Sequence, residues 1–186
     1  AYAQLLRYHS YPVSRNFESV QRLCSVDGVS ETLSTIGGVY EWDKMPYDVD
    51  GITEEQGSAI GKLCYDIGVL QGASFESDGT AMLMTSSLLT DYFGYANARE
   101  AYGTFEGEQL MSVISGNLDA GYPVMLSFRE SSENIPGHCA IADGYSVFYT
   151  TSESVTLTHM NMGWGGNEDN WYCLPTVLSY NIVDGI

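Results

Sequence analysis

Hydrophobic positions recur with a helical period through the first two thirds of the chain and with an extended period after Pro123. The clearest helical segment opens at Thr53, where Gln56 stands three residues later and completes the pattern of a capping box. The segment ends near Gly68, and its apolar residues recur at spacings of three and four, which predicts one buried helix face. That face consists of Ile60, Leu63, Cys64 and Ile67.

The same reasoning predicts three further helices. Residues 1–9 are good helix formers that stop before Pro12. A second helix is predicted at residues 81–93, and a third closes at Gly121. The apolar positions of the third are Leu110, Val113, Ile114 and Leu118.

After Pro123 the apolar residues come in short runs bounded by turn residues, a pattern typical of β-strands. Because the helices precede the strands, the sequence predicts an α+β fold in which an antiparallel sheet packs on a helical layer. Pairing of the second and fourth runs as a hairpin would bring His138 and Asn161 towards each other. The predicted strands are residues 124–128, 138–143, 147–150, 155–161, 171–174 and 180–183.

Composition and charge narrow the function classes. The 186 residues are 44% hydrophobic, enough for one packed core, so we expect residues 1–186 to form a single domain. Seven Lys and Arg stand against 24 Asp and Glu, and the formal charge of -17 repels phosphate groups at long range. We therefore expect neither nucleic acid nor a membrane as a partner, and no apolar run is long enough to span a bilayer.

The four cysteines offer no obvious metal site or nucleophile. Cys24, Cys64, Cys139 and Cys173 form no CxxC pair and have no Cys/His ligand spacing, so no metal is expected. Cys139 adjoins His138, but neighbours on a strand point to opposite faces. Cys64 falls in the middle of a predicted helix, away from the helix N-terminus that lowers a thiol's pKa.

Three residues in the last third carry candidate chemistry. A cysteine nucleophile acts as the thiolate, generated by a histidine whose ring is oriented by a third polar group. His138 suits the base and Asn161 the orienting group, while Trp164 would shield their hydrogen bond from water. Each also has a structural interpretation, as a satisfied strand histidine, a turn asparagine and a core tryptophan.

These segments resemble those of a known enzyme family. Residues 137–144 (GHCAIADG) resemble the histidine motif of the streptopain-like cysteine peptidases, and residues 159–166 (HMNMGWGG) resemble their asparagine–tryptophan motif. Residues 3–12 (AQLLRYHSYP) are similar to the helix that follows the family's nucleophile. Further similar segments follow in order at residues 40–46, 63–69 and 92–95. The resemblance covers nearly the whole chain and implies a papain-like fold.

The resemblance also implies roles for individual residues. His138 would be the general base and acid, Asn161 its orienting group and Trp164 a wall of the substrate site. The nucleophilic cysteine would stand a few residues upstream of Ala1, together with the oxyanion-hole side chain. We therefore expect residues 1–186 to lack the N-terminal part of the peptidase domain. No metal or organic cofactor is implied.

An endopeptidase that works through an acyl-enzyme is the function that the resemblance implies. Such enzymes are secreted, usually bacterial, and made as proenzymes. The expected partners are a protein or peptide substrate and an inhibitory pro-segment, and the expected location is extracellular, either free or at the cell surface. The acidic charge suits such a setting.

Two departures from the family pattern leave alternatives open. Met162 stands where the family has a tryptophan, which would weaken the shielding of His138, and the segment between the two motifs predicts a long hairpin with a polar tip at residues 150–154. One alternative is a catalytically inactive papain-like domain that acts as a protein-binding module. Another is a cleaved chain whose nucleophile segment stays bound noncovalently.

Overall fold

A computed structural model describes residues 1–13, 18–102, 107–129, 137–177 and 180–185. The chain divides into two compact units. The N-terminal unit comprises Tyr2 and Leu6–Ala98, and the C-terminal unit comprises Ala1, Ala3–Leu5 and Arg99–Ile186. The single domain expected over residues 1–186 stays a prediction. None of the described helices is long and apolar enough to span a bilayer.

Helices and antiparallel strands both contribute, which confirms the α+β prediction. The helices are α1 (Tyr2–His9), α2 (Glu54–Leu70) and α3 (Gly107–Asp119), with a 3₁₀ turn at Trp42–Lys44 and a π-helical turn at Leu88–Phe93. The strands are β1 (Gln21–Val26), β2 (Val29–Ser34), β3 (Ser74–Glu76), β4 (Gly79–Ala81), β5 (Ala101–Tyr102), β6 (Val124–Arg129), β7 (His138–Tyr149), β8 (Ser154–Asn161), β9 (Asn170–Tyr172), β10 (Thr176–Val177) and β11 (Tyr180–Gly185).

The N-terminal unit contains a four-stranded sheet in the order β2-β1-β3-β4. Strands β1 and β2 form a hairpin whose two-residue turn, Asp27-Gly28, has φ values of 48° and 77°. None of these four strands was predicted. The helix predicted at residues 81–93 is wrong in its first part, because Ala81 still pairs with Ser74 in the sheet and helical structure begins only at Ser86.

Helix α2 begins as the sequence predicts. Gln56 N donates to Thr53 Oγ1 at 3.2 Å and Thr53 N donates to Gln56 Oε1 at 2.9 Å, which confirms the capping box. Its buried face differs from the prediction at two positions, since Cys64 is exposed and Ile60 is only half-buried. The buried stripe instead includes Asp66, because residues 59, 63, 66, 67 and 70 lie on one side of an α-helix.

Asp66 is fully buried within the N-terminal unit and organises the segment that follows β2. Its carboxylate accepts hydrogen bonds from Ile36 N at 2.6 Å, Gly37 N at 3.0 Å and Tyr40 Oη at 2.9 Å. Three donors compensate the cost of burying the charge. Burial of Tyr40, reinforced by the negative charge of Asp66, raises the pKa of the Tyr40 phenol.

The C-terminal unit is built on a sheet in the order β10-β11-β6-β7-β8-β9, with β5 paired to β11. All of its pairings are antiparallel. Apolar residues of α3, of the sheet strands and of the segment after β9 form its core. The core residues are Leu110, Ile114, Val124, Leu126, Phe128, Ala140, Ala142, Met160, Met162, Leu174 and Val177.

Strands β7 and β8 form the long hairpin that the sequence suggested. Residues 138–143 and 147–150, predicted as separate strands, belong to one strand, because the pairing continues past a bulge at Asp143. The hairpin closes between Tyr149 and Ser154, and Thr150 Oγ1 accepts from Glu153 N at 3.0 Å in the polar tip. This hairpin places His138 at the start of β7 and Asn161 at the end of β8.

Candidate active site

His138, the first residue of β7, lies between two aromatic rings. Its Cα partner in the sheet is Phe128 of β6, and the two rings meet edge to face with centroids 5.5 Å apart. The Trp164 ring lies against the imidazole with centroids 4.4 Å apart and planes tilted by 33°. These contacts restrict the ring and exclude water from part of its surface.

One ring nitrogen of His138 is fixed by the main chain. Nε2 lies 2.8 Å from the carbonyl oxygen of Met162. A carbonyl can only accept a hydrogen bond, so Nε2 carries a proton and Nδ1 of the neutral ring holds the lone pair. Within the described ranges, Nδ1 has no hydrogen-bond partner. The basic atom of the ring is therefore Nδ1.

Opposing effects act on the pKa of the His138 imidazole. Burial lowers the pKa of the imidazole because it disfavours the charged ring, whereas the hydrogen bond to Met162 raises that pKa. The net direction is downward. The ring is therefore mainly neutral at pH 7, with its lone pair ready to accept a proton.

Asn161 lies near this histidine in the sheet without bonding to it. Its Cα partner on β7 is Ile141, three residues along the strand from His138. Asn161 Oδ1 accepts two hydrogen bonds, from Gln4 Nε2 at 2.6 Å and from Gly163 N at 3.0 Å. The direct Asn161–His138 bond expected from the sequence is replaced by the bond to the Met162 carbonyl. A catalytic role of Asn161 stays a prediction.

Met162 links the two predicted residues through its main chain. Its side chain is completely buried in the core, and its N–H donates to Asp169 Oδ1 at 2.7 Å. The next residue, Gly163, has φ of +78°, a conformation that glycine adopts without steric cost. The chain can therefore turn immediately after Met162 and leave its carbonyl facing His138.

Trp164 is the aromatic residue that covers His138, and it is 42% exposed. The sequence suggested that Met162, standing in place of a tryptophan, would weaken shielding of the histidine. In the structure the Met162 side chain points into the core and the indole of Trp164 contacts the imidazole. Its role as a wall of the substrate site stays a prediction.

Two residues in this network were not singled out from the sequence. Gln4 belongs to the segment that resembles the helix after the nucleophile, but its amide had no assigned function. Asp169 follows the two glycines of the asparagine–tryptophan motif and had no assigned function either. Two features of the sequence could have pointed to these residues. Gln4 carries an amide on the helix that resembles the family's, and Asp169 is an acid just beyond the asparagine–tryptophan motif.

The other histidine and cysteine candidates have different surroundings. His159 Nδ1 lies 2.6 Å from Asp143 Oδ1, and its ring meets Trp171 edge on with centroids 5.3 Å apart. Cys24 is buried, and this burial raises the pKa of its thiol, which opposes thiolate formation. Cys173 is exposed on the segment after β9.

A metal centre finds no support in the described ranges, where no three His, Cys, Asp or Glu residues converge in a way that could hold an ion. The acidic residues are numerous but dispersed. The geometry around His138 instead leaves a neutral imidazole with one anchored nitrogen and one lone pair that can accept a proton.

Comparison with known proteins gives the family and the fold. A model of the peptidase C10 family matches residues 1–172. No curated protein matches the chain. Among solved structures, the chain is similar to active wild-type interpain A, a cysteine protease of Prevotella intermedia, with a TM-score of 0.78 and 25% sequence identity. That match covers 100% of this chain and 78% of the other, and it confirms the predicted papain-like fold.

Proposed function

This chain belongs to the peptidase C10 family, the streptopain-like cysteine proteases, and we propose that it hydrolyses peptide bonds through an acyl-enzyme with His138 as general base and acid. The family predicted from the sequence motifs is thus confirmed. The observation that carries the proposed role is the bond from His138 Nε2 to the Met162 carbonyl. It leaves Nδ1 as the atom that exchanges protons during the reaction.

The proposed reaction has two halves. In the first, Nδ1 of His138 takes the proton of a cysteine thiol, and the thiolate attacks the carbonyl carbon of the scissile peptide bond. Nδ1–H then gives its proton to the leaving nitrogen, the C–N bond breaks, and a thioester remains. In the second half, Nδ1 takes a proton from water as the water attacks the thioester. The C–S bond then breaks, the carboxylic acid leaves, and Nδ1–H gives its proton to the sulfur, which restores the thiol.

The surroundings of His138 support this role electrostatically. Burial keeps the pKa of the ring low, so that the neutral, proton-accepting form predominates near pH 7. Packing against Trp164 at 4.4 Å removes water from one side of the ring. A developing thiolate nearby would stabilise the protonated ring once the proton has moved. The base is therefore neutral at rest and becomes charged only when its partner does.

The nucleophile in this proposal is a cysteine that precedes Ala1 in the complete polypeptide. The proposal rests on the order of the family motifs, in which residues 3–12 correspond to the helix after the nucleophile. Cys139 is a poor substitute, because it follows His138 directly on β7 and adjacent strand residues face opposite sides. Cys64 lies in mid-helix, outside the positive field of the α2 N-terminus.

Family membership gives the substrate as a peptide bond. Beyond that, we propose an extended peptide with an apolar side chain near the cleavage site. Trp164, 42% exposed beside His138, would provide an aromatic surface for it. We further propose that the enzyme is secreted or displayed at the cell surface and is restrained by a pro-segment before activation. The low content of basic residues suits the extracellular setting.

The experiment that tests the nucleophile is intact-mass analysis of the full polypeptide after treatment with an epoxysuccinyl thiol-protease inhibitor. One stoichiometric adduct is expected, and peptide mapping should place it on a residue upstream of Ala1. The matched control is Cys173→Ser, which removes an exposed thiol and should leave the adduct unchanged. An adduct on one of the four cysteines within residues 1–186 would contradict the assignment.

The same experiment also addresses the binding-module alternative. If no adduct forms and a broad panel of peptides is not cleaved, the domain is catalytically inactive and a protein-binding role takes precedence. Cleavage that requires His138 would exclude that alternative.

A further inference from the structure

We propose that Gln4 is a positioning residue, which orients His138 through Asn161 and the Met162–Gly163 peptide. The inference rests on the proposed function, since it concerns how the general base of that reaction is aligned. It assigns Gln4 a role that the sequence motifs did not give it. Every residue involved belongs to the C-terminal unit.

One planar peptide bond couples Asn161 to the carbonyl that binds His138. The carbonyl of Met162 and the N–H of Gly163 belong to the same planar unit and point in opposite directions. Anchoring the N–H therefore fixes the direction of the carbonyl. The carbonyl is bound by His138 Nε2 at 2.8 Å, and the N–H donates to Asn161 Oδ1 at 3.0 Å. Asn161 thus sets the direction of the acceptor that binds the histidine.

The side chain of Asn161 is itself anchored by Gln4. An asparagine that accepts a hydrogen bond from the N–H two residues later forms a local turn, whose side chain can rotate unless it has another partner. Gln4 Nε2 supplies that partner at 2.6 Å. Because Asn161 Oδ1 already accepts from Gly163 N, the atom of Gln4 that faces it must be a donor, which fixes the orientation of the Gln4 amide.

Only one of the two polar atoms of the Gln4 amide has a hydrogen-bond partner among the described residues. Its other amide atom, Oε1, is buried, and within the described residues it has no hydrogen-bond partner. A buried acceptor without a partner costs stability, so selection for stability alone favours an apolar side chain at this position. The short bond to Asn161 therefore has a use other than stability, and alignment of His138 is the use that its partners indicate.

Asp169 provides an independent restraint on the preceding peptide, since its Oδ1 accepts from Met162 N at 2.7 Å. The main chain of Met162 is thus restrained at two points. Asp169 binds its N–H, and the Gln4–Asn161 pair binds the N–H of the next residue, Gly163. Loss of Gln4 would loosen one side only. We therefore expect the loop to keep its fold while the direction of the Met162 carbonyl becomes less well defined.

The test is the Gln4→Met variant in the full polypeptide. Methionine has a similar length and no hydrogen-bond donor, and it removes the unpartnered Oε1. The Tm should be unchanged or higher. Turnover of a peptide substrate should fall about fivefold to tenfold in kcat with KM unchanged, the size expected for one lost hydrogen bond. The matched control is Gln109→Met, which changes an exposed glutamine on α3 and should alter neither quantity.

A second readout does not depend on turnover. In protein labelled with 15N-histidine, the Nε2–H proton of His138, assigned by its loss in His138→Gln, should exchange with solvent slowly in the wild type. In Gln4→Met it should exchange about fivefold to tenfold faster. Unchanged exchange would overturn the inference, whatever happens to kcat. If Gln4→Met does not fold, Asn161→Leu decides the question by the same exchange measurement. Because this readout needs no catalysis, its failure differs from failure of the proposed function, which abolishes inhibitor labelling and cleavage.

Discussion

Replacing Asp66 by asparagine should lower the free energy of unfolding by about 3 kcal/mol, because the carboxylate is completely buried and satisfies three donors. Asparagine has almost the same shape, so packing around the site is preserved. What changes is one acceptor oxygen, which becomes an NH2 donor. The variant therefore reports on hydrogen bonding and charge, not on a cavity.

The magnitude follows from the three contacts. One side-chain oxygen of asparagine can still accept from Ile36 N, at 2.6 Å in the wild type, although the bond is no longer charge-assisted. The NH2 group would face Gly37 N, now 3.0 Å from Oδ2, and leave that N–H without an acceptor at a cost of about 1–3 kcal/mol. The Tyr40 hydroxyl can reverse its role and accept. Weakening of the remaining bonds adds about 1 kcal/mol.

Urea unfolding followed by circular dichroism measures this loss as a shift in midpoint at constant slope. Tyr40→Phe is the matched comparison, since it keeps the ring, removes the 2.9 Å bond to Asp66 and should cost about 1 kcal/mol. The double variant should lose less than the sum, because the two side chains share that bond. An Asp66→Asn protein within about 0.5 kcal/mol of the wild type would refute the reasoning.

Three further outcomes are expected. Because burial raises the pKa of Tyr40, the folded state holds the phenol proton more tightly than the unfolded state does. The free energy of unfolding should therefore fall by about 1.4 kcal/mol per pH unit as the pH rises above about 10, and this slope should weaken in Tyr40→Phe. Denaturant titrations at pH 9, 10 and 11 measure the slope. Asn161→Asp keeps an Oδ1 acceptor for Gln4 Nε2 and Gly163 N, so kcat should stay within about threefold of the wild type. Asn161→Leu removes the acceptor, and kcat should fall about tenfold or more. Equal losses of kcat in the two variants would exclude the acceptor role. Trp164→Ala exposes the His138 ring, so the pKa of His138 should rise and the acidic limb of the kcat/KM profile should move to higher pH. Trp164→Phe should move that limb less. An unmoved limb would show that the indole does not desolvate the base.

Helix α3 and the longer strands of the C-terminal unit could be predicted because their patterns are local and repetitive, whereas the two-residue strands β5 and β10 were missed. Helix α3 shows apolar residues at helical spacing, and β7 and β8 alternate on either side of a polar tip. The division of β7 into two strands was wrong because the bulge at Asp143 interrupts the alternation without ending the pairing.

The four-stranded sheet of the N-terminal unit was missed for a different reason. Its strands are short and polar, and most residues of β2 and β4 are exposed, so no apolar alternation marks them. The Asp27-Gly28 pair was a usable signal, because its two positive φ values are those of the tight turn that hairpins favour. Pairing of β1 with β3, 49 residues later, depends on tertiary contacts that no local pattern encodes.

The candidate site was predicted in its residues but not in its connections. His138, Asn161 and Trp164 do lie in one region, yet the bond to the histidine comes from a main-chain carbonyl. Every residue has a main-chain carbonyl, so the residue type does not show which carbonyl accepts a hydrogen bond from a side chain. From the sequence, Met162 could therefore be judged only by its side chain. The contribution of Gln4 depends on a contact across 157 residues, which also lies beyond sequence reasoning from one chain.

The most direct test of the account is peptide turnover by His138→Ala, measured beside His159→Ala in the full polypeptide. His159 is a suitable control because its ring also contacts a tryptophan, Trp171, but its Nδ1 bonds to the Asp143 carboxylate in a different cluster. The account predicts a loss of about 10³-fold or more in kcat for His138→Ala and a change of no more than a few fold for His159→Ala. Wild-type turnover by His138→Ala would contradict the assignment of His138 as the general base.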